Sequence, residues 1–171
     1  LETILVQVWY PMTVATNSRE QKKVILKYLE KTGTPADIDF KLHDFGYRGV
    51  SSNQTAGTGG SAHLTQFMGT DTLAGIITTR KYYNSGCTGF SIPASEHSTI
   101  TSWGKDGEKD AFRNMLKQYQ DGLVACVSDS WDIFKAIKIW GTILKEAIMS
   151  RNGTLVIRPD SGDPVEIDLK I

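Results

Sequence analysis

From about residue 40 onward the sequence repeats one pattern: a short apolar run, a polar turn, then a segment with helical spacing. Short strands are expected at residues 40–44, 67–70, 88–92, 123–128 and 154–158, with a helix after each. Strands that alternate with helices need crossover connections, and these are right-handed. The pattern therefore dictates an α/β fold with a mostly parallel sheet, either open or curled into a barrel. About five βα units are too few to close an eight-unit barrel.

Ahead of this repeat, Asn17-x-x-Glu20 has the form of a capping box. Ile25, Tyr28 and Leu29 recur at helical spacing, and Gly33 with Pro35 closes the segment, so a helix is expected over 21–30. Pro11 should kink or end any helix before it. Residues 108–120 predict a helix with Phe112, Met115, Leu116 and Tyr119 on one face. The chain starts at Leu1 inside an apolar run and stops at Ile171 inside what reads as a new helix opened by Asp163-Pro164, so a piece of a longer protein is expected.

In parallel-sheet folds ligands sit at the carboxyl ends of the strands. The stretches to weigh are His43–Arg48, Gly69–Thr72, Ser91–His97, Ser128–Asp132 and Arg158–Gly162, and every one is polar. Arg48 and Arg158 are the hardest to treat as ordinary surface, because a guanidinium at a strand end needs an acidic partner or an anion. Asp71 and Asp132 either cap the following helices or meet a ligand, and Ser161 and Asp163 share that ambiguity. His97 is either a hydrogen-bonded core histidine or a ligand contact, whereas His43 and His63 read as core histidines.

Composition removes several classes of function. Nineteen basic and nineteen acidic residues cancel and no Lys/Arg block stands out, so neither nucleic acid nor an anionic membrane is an expected partner. Cys87 and Cys126 stand far apart without His or Cys at ligand spacing, so neither a disulfide framework nor a protein-held metal is expected, and a reducing cytoplasm fits best. The length and the balance of apolar and charged residues suit a single soluble domain over 1–171. Asp44-Phe-Gly46 spells a kinase triplet without the rest of the kinase pattern. Gly57-Thr-Gly-Gly-Ser-Ala62 fits a loose dinucleotide fingerprint but follows a polar run instead of a strand, so it reads as a small-residue helix that packs closely.

Taken in order, six segments carry a resemblance: Tyr10-Pro11 with Thr16–Lys22, Lys41–Gly49, Gly69–Thr72, Glu96–Thr101, Trp103–Asp106 and Ile157–Gly162. Together they closely resemble the nicotinamide phosphoribosyltransferases, along essentially the whole chain. The resemblance implies part of an irregular (β/α) barrel of the type II phosphoribosyltransferase kind, about five βα units preceded by helices, forming the central segment of a longer homodimeric enzyme. It implies transfer of phosphoribosyl from 5-phosphoribosyl 1-pyrophosphate to nicotinamide, giving nicotinamide mononucleotide and pyrophosphate in NAD salvage. Mg²⁺ is expected with the pyrophosphate substrate, and ATP as a coupled activator.

Residue by residue, Phe45 resembles the aromatic that stacks on the pyridine, and Asp71 the acceptor of the carboxamide N–H. Arg48 and Arg158 resemble anion ligands, Asp160 the group that binds the ribose hydroxyls, and His97 the histidine that meets pyrophosphate and is transiently phosphorylated. His97 and Asp160 are thus the expected catalytic pair. The alternatives are a nicotinate phosphoribosyltransferase, or a catalytically incompetent fragment of either.

Overall fold

The computed structural model describes residues 1–171, which gather into two compact units, 1–91 and 92–171. The first opens with one long helix, α1 (Glu2–Thr32), that runs straight through Pro11. A proline inside a helix forfeits one backbone hydrogen bond, and the remaining bonds of this 31-residue helix carry the loss. The expected start at Asn17 is therefore not a start. Glu20 uses its carboxylate on Lys23 and Arg19 rather than on the backbone. The expected stop is real, since the Gly33 N–H bonds the Leu29 carbonyl and closes the last turn.

Three buried or half-buried polar contacts, made by two residues, seat α1. Ser18 pairs with the His63 ring at 3.2 Å, and the Lys22 ammonium reaches Asp39 at 2.6 Å and the Gln66 carbonyl at 2.5 Å. A 3₁₀ turn over Pro35–Phe40 takes up the front of the first expected strand, leaving only β1 (His43–Asp44). After α2 (Asn53–His63), β2 (Gly69–Thr70) pairs with β1 in parallel, His43 opposite Gly69. The strand expected at 88–92 reduces to a bridge between Phe90 and Gly69.

The small-residue segment is a helix, as its composition demanded, and it packs on α3 (Leu73–Tyr82). Gly60 faces Gly75 so closely that a Cβ built on Gly75 would lie 2.8 Å from the Gly60 carbonyl carbon. Glycine at both positions is what allows the two backbones to meet.

The second unit holds the larger apolar core. After α4 (His97–Thr101) and α5 (Glu108–Gln118), the wholly buried β3 (Val124–Val127) pairs in parallel with β4 (Leu155–Arg158), Val127 opposite Arg158. Ile100, Phe112, Met115, Leu116, Val124 and Trp140 pack together, with the Phe112 and Trp140 rings stacked at 4.2 Å. The Trp140 Nε1–H donates to Ser128 Oγ at 3.0 Å, and that hydroxyl donates to the Cys126 carbonyl, so the one polar atom of the indole is satisfied inside the core.

Tyr119 falls just beyond α5 and is exposed, so it is not part of the buried face expected for it. The chain continues through α6 (Ile133–Lys138), a π-helical turn over Ile139–Ile143, α7 (Lys145–Met149) and, after β4, α8 (Pro164–Lys170). Helices alternate with parallel strand pairs, as an α/β fold requires. No helix is long and apolar enough to cross a membrane.

Candidate active site

Ionisable and aromatic side chains gather at the carboxyl ends of the strands, in one group per unit. In the first unit the Asp71 N–H bonds the Asp44 carbonyl at 2.9 Å, fixing the end of β2 beside the end of β1. Asp44 turns the chain by accepting the Gly46 N–H on its own carboxylate at 2.7 Å. That turn exposes Phe45 and leads into a 3₁₀ helix, Gly46–Gly49, that carries Arg48 in its last turn. The Phe45 ring lies 4.5 Å from the His43 ring, and His43 Nε2 stands 3.0 Å from Asp71 Oδ1. The structure thus brings Phe45 and Asp71 together through His43.

Asp71 does not cap a helix. Thr72 is the N-cap residue of α3 and gives no side-chain cap, and its own N–H goes to Thr70 Oγ1. The Asp71 carboxylate instead accepts from the Ser91 hydroxyl and from His43, and it remains substantially exposed. Asp132 does cap, accepting the N–H groups of Phe134 and Lys135 at the start of α6.

The two histidines expected in the core also part company. His63 is buried, with Nε2 at 3.1 Å from the Gly69 carbonyl, and burial pulls its pKa down, so the ring is neutral and donates from Nε2. His43 is half-buried and faces a carboxylate, which makes it part of the site rather than of the core. A cavity of about 340 Å³ lies alongside, lined among others by Tyr10, His43, Phe45, His63 and Thr72.

In the second unit Glu96 caps α4 through a reciprocal box with Thr99, which sets His97 at the helix start. Both ring nitrogens of His97 face carboxylates: Nδ1 is 2.9 Å from Glu96 Oε1 and Nε2 is 3.1 Å from Asp129 Oδ1. Asp160 Oδ2 brings a third carboxylate, 3.9 Å from Nδ1 and too far for a hydrogen bond. The bond to Glu96, with those to Asp129 and the charge of Asp160, raises the pKa of His97 against the smaller effect of burial.

Asp129 is the anchor of this group. Its side chain is 5% exposed, and Oδ2 accepts the Asp160 N–H at 2.9 Å and the Ser161 hydroxyl at 2.5 Å. Burial alone would raise its pKa, yet these donors and His97 together hold the carboxyl below its ordinary value. Arg158 has acidic partners, as its place at a strand end required. Nη1 donates to Asp160 at 2.9 Å, Nη2 to the Ser95 carbonyl at 3.2 Å, and Glu96 is 3.9 Å away. Asp163 caps α8 through the Glu166 N–H, so of the two ambiguous residues only Ser161 belongs to the group. A cleft of about 460 Å³ is lined by Arg158, Asp160, Ser161 and Gly162.

His97, Arg158 and Asp160 are therefore brought together, and they lie in the second unit, whereas Phe45, Arg48 and Asp71 lie in the first. Asp129, Glu96 and His43 stood in the strand-end stretches, but nothing in sequence spacing singled them out. Their meaning comes from partners brought near by the fold. No group of three or more His, Cys, Asp or Glu side chains is arranged to hold a metal ion.

The class these features define is a parallel α/β protein with ionisable groups gathered at the carboxyl ends of its strands. Residues 40–171 match the nicotinate phosphoribosyltransferase (NAPRTase) family, and the chain belongs to that family. It is 53% identical, over 98% of its length, to a nicotinamide phosphoribosyltransferase from Xanthomonas campestris pv. campestris, of which it covers 37%. A protein of the same name from Acinetobacter baylyi is 37% identical over 98% of this chain and 35% of its own length. One from Mycoplasma pneumoniae is 33% identical over 95% of this chain, with 34% of its own length covered. The chain spans 34% to 37% of the length of these relatives.

Proposed function

We propose that the protein transfers phosphoribosyl from 5-phosphoribosyl 1-pyrophosphate to nicotinamide, giving nicotinamide mononucleotide and pyrophosphate. The observation that carries this reading is Asp71: an exposed carboxylate at a strand end, not spent on capping, linked through His43 to an exposed aromatic ring. In this reading Phe45 stacks on the flat pyridine, and Asp71 accepts the carboxamide N–H. The same carboxylate repels nicotinate, whose own carboxylate would sit against it.

The reaction forms a bond from the pyridine nitrogen to the anomeric carbon while the anomeric C–O bond breaks, its electron pair leaving with pyrophosphate. Positive charge builds on the ribose, and no covalent side-chain nucleophile is needed. Arg48 and Arg158 bind anionic oxygens, with the planar guanidinium of Arg158 already oriented by Asp160. His97, drawn toward its protonated form by three carboxylates, meets the pyrophosphate, and Asp160 holds the ribose hydroxyls. Magnesium would come bound to the pyrophosphate substrate, beside Arg158 and His97, and would add to the neutralisation of the leaving group. Coupling to ATP through phosphorylation of His97 belongs to the same reading.

The residues read as positioning the ring, Phe45 and Asp71, lie in the first unit, whereas those read as binding anionic oxygens are divided, Arg48 in the first and His97 and Arg158 in the second. The chain is read as the central segment, 1–171, of an irregular (β/α) barrel of the type II phosphoribosyltransferase kind, in a homodimeric cytoplasmic enzyme. The parallel pairs β1–β2 and β3–β4 and the family membership support that placement.

The test is the preference for amide over acid in the complete gene product. Asp71→Asn should lower the ratio of kcat/KM for nicotinamide to that for nicotinate by at least about tenfold, the scale of one hydrogen bond to a charged group. An unchanged ratio would remove Asp71 from the role, and a wild-type ratio below one would favour nicotinate as the substrate instead.

A further inference from the structure

The Asp71 carboxylate has two oxygens in unlike situations. Oδ1 receives both His43 Nε2, at 3.0 Å, and the Ser91 hydroxyl, in a short contact. Oδ2 has no partner in the structure. A carboxylate can only accept, so His43 must carry its proton on Nε2 and Ser91 must point its hydroxyl hydrogen at Oδ1. Two donors converging on Oδ1 hold the plane of the carboxylate, while the Asp71 N–H is tied to the Asp44 carbonyl on the other side of the residue.

His43 is itself held. It pairs in the β1–β2 register opposite Gly69, where a Cβ would come within 2.8 Å of its Nδ1, and its ring lies 4.5 Å from that of Phe45 at a 32° tilt. A glycine there leaves the imidazole room to turn Nε2 toward Asp71.

We infer that His43 and Ser91 are positioning residues that set the amide-over-acid preference, by saturating Oδ1 of Asp71 and leaving Oδ2 aimed at the ligand's carboxamide. The inference rests on the reading of Asp71 as the amide acceptor. Its physical content is that a carboxylate free to rotate would offer either oxygen, or a water held on it, to either substrate. A fixed one presents a single acceptor where an N–H arrives and an oxyanion is repelled. His43 and Ser91 touch Asp71 and act through it.

The experiment measures kcat and KM of the complete gene product for nicotinamide and for nicotinate in wild type, His43→Phe, His43→Gln, Ser91→Ala and Asp71→Asn. His43→Phe keeps a flat ring beside Phe45 but cannot donate. It should lower the ratio of kcat/KM, amide over acid, by about tenfold, chiefly through a raised KM for nicotinamide. His43→Gln replaces Nε2 with an amide donor and should restore most of the ratio. Ser91→Ala should lower the ratio by a smaller factor and keeps the test available if His43→Phe does not fold.

The inference is overturned if His43→Phe and Ser91→Ala leave the ratio unchanged while Asp71→Asn collapses it. It is equally overturned if both substrates lose the same factor in the His43 variant, since that is the mark of a merely structural residue. If Asp71→Asn leaves the ratio unchanged, the reading of Asp71 fails instead, and the two failures are thereby told apart.

Discussion

His97 shows how a single residue's chemistry is set by neighbours far away in sequence. Glu96 lies next to it, but Asp129 and Asp160 are delivered by β3 and β4, and all three favour the imidazolium. Its folded pKa is raised above the ordinary 6.5, so the stability it contributes is full below that value and is lost as pH climbs through the folded one. Asp129 has the opposite sign. Its folded pKa lies below the ordinary 3.8, so its contribution is present above that value and is lost as pH falls through the folded one. Both contributions are therefore full together between the two ordinary values, 3.8 and 6.5. Asp129→Asn should bring the NMR titration midpoint of His97 back toward 6.5, because the replacement keeps the shape and removes the charge. An unmoved midpoint would mean that Glu96 and Asp160 hold the proton without Asp129. Over the range from about pH 6 to about pH 8 the wild type should lose stability relative to His97→Gln, and urea unfolding at a series of pH values reads that difference.

At the scale of elements, the contact between α2 and α3 makes an unusual demand on side-chain size. Replacing a helical glycine by alanine ordinarily stabilises by up to about 1 kcal/mol, and Gly141, with nothing within 4 Å of its would-be Cβ, should behave that way. Gly75→Ala should reverse the sign and destabilise by about 1–3 kcal/mol, because the new methyl meets Gly60 backbone that cannot swing aside. Thermal unfolding of the two variants gives the comparison, and a stabilised Gly75→Ala would show that the helices can slide apart cheaply. The elements also separate what local pattern can reveal from what it cannot. Gly57 to Ala62 spelled close helix packing in its own composition, and α2 does pack that way. The polar ends of the strands pointed to Asp71, His97, Arg158 and Asp160 because residue type and position after an apolar run both speak there. Residues 88–92 look like a strand but pair only through Phe90, since pairing is decided by the neighbour and not by the run. Pro11 looked like a boundary, yet one lost hydrogen bond weighs little against a 31-residue helix. Asp129 was invisible for the same kind of reason: its donors, Asp160 and Ser161, come from a loop more than thirty residues on.

For the molecule as a whole, charge and exposed apolar surface combine into a prediction about association. Nineteen basic and nineteen acidic side chains leave no net charge at pH 7, so nothing long-range keeps copies apart. On α1, Leu5, Val8, Trp9 and Met12 fall at helical spacing on one face, and all are exposed, Trp9 at 64% and Met12 at 63%. Such a stripe on a free surface marks a contact face. The two-stranded sheets add open edges, with Val156 of β4 also exposed. The polypeptide of residues 1–171 should therefore self-associate, its weight-average mass in sedimentation experiments rising with concentration. Because the driving surface is apolar, sodium chloride should leave the association nearly unchanged and sulfate should strengthen it, whereas an association through ion pairs would weaken in both. Leu5→Lys combined with Trp9→Lys places two charges in the middle of the stripe and should shift the mass toward that of a single chain. If the double variant associates as strongly as the parent, the contact face is not α1, and the open edges of the short sheets become the surfaces to block next.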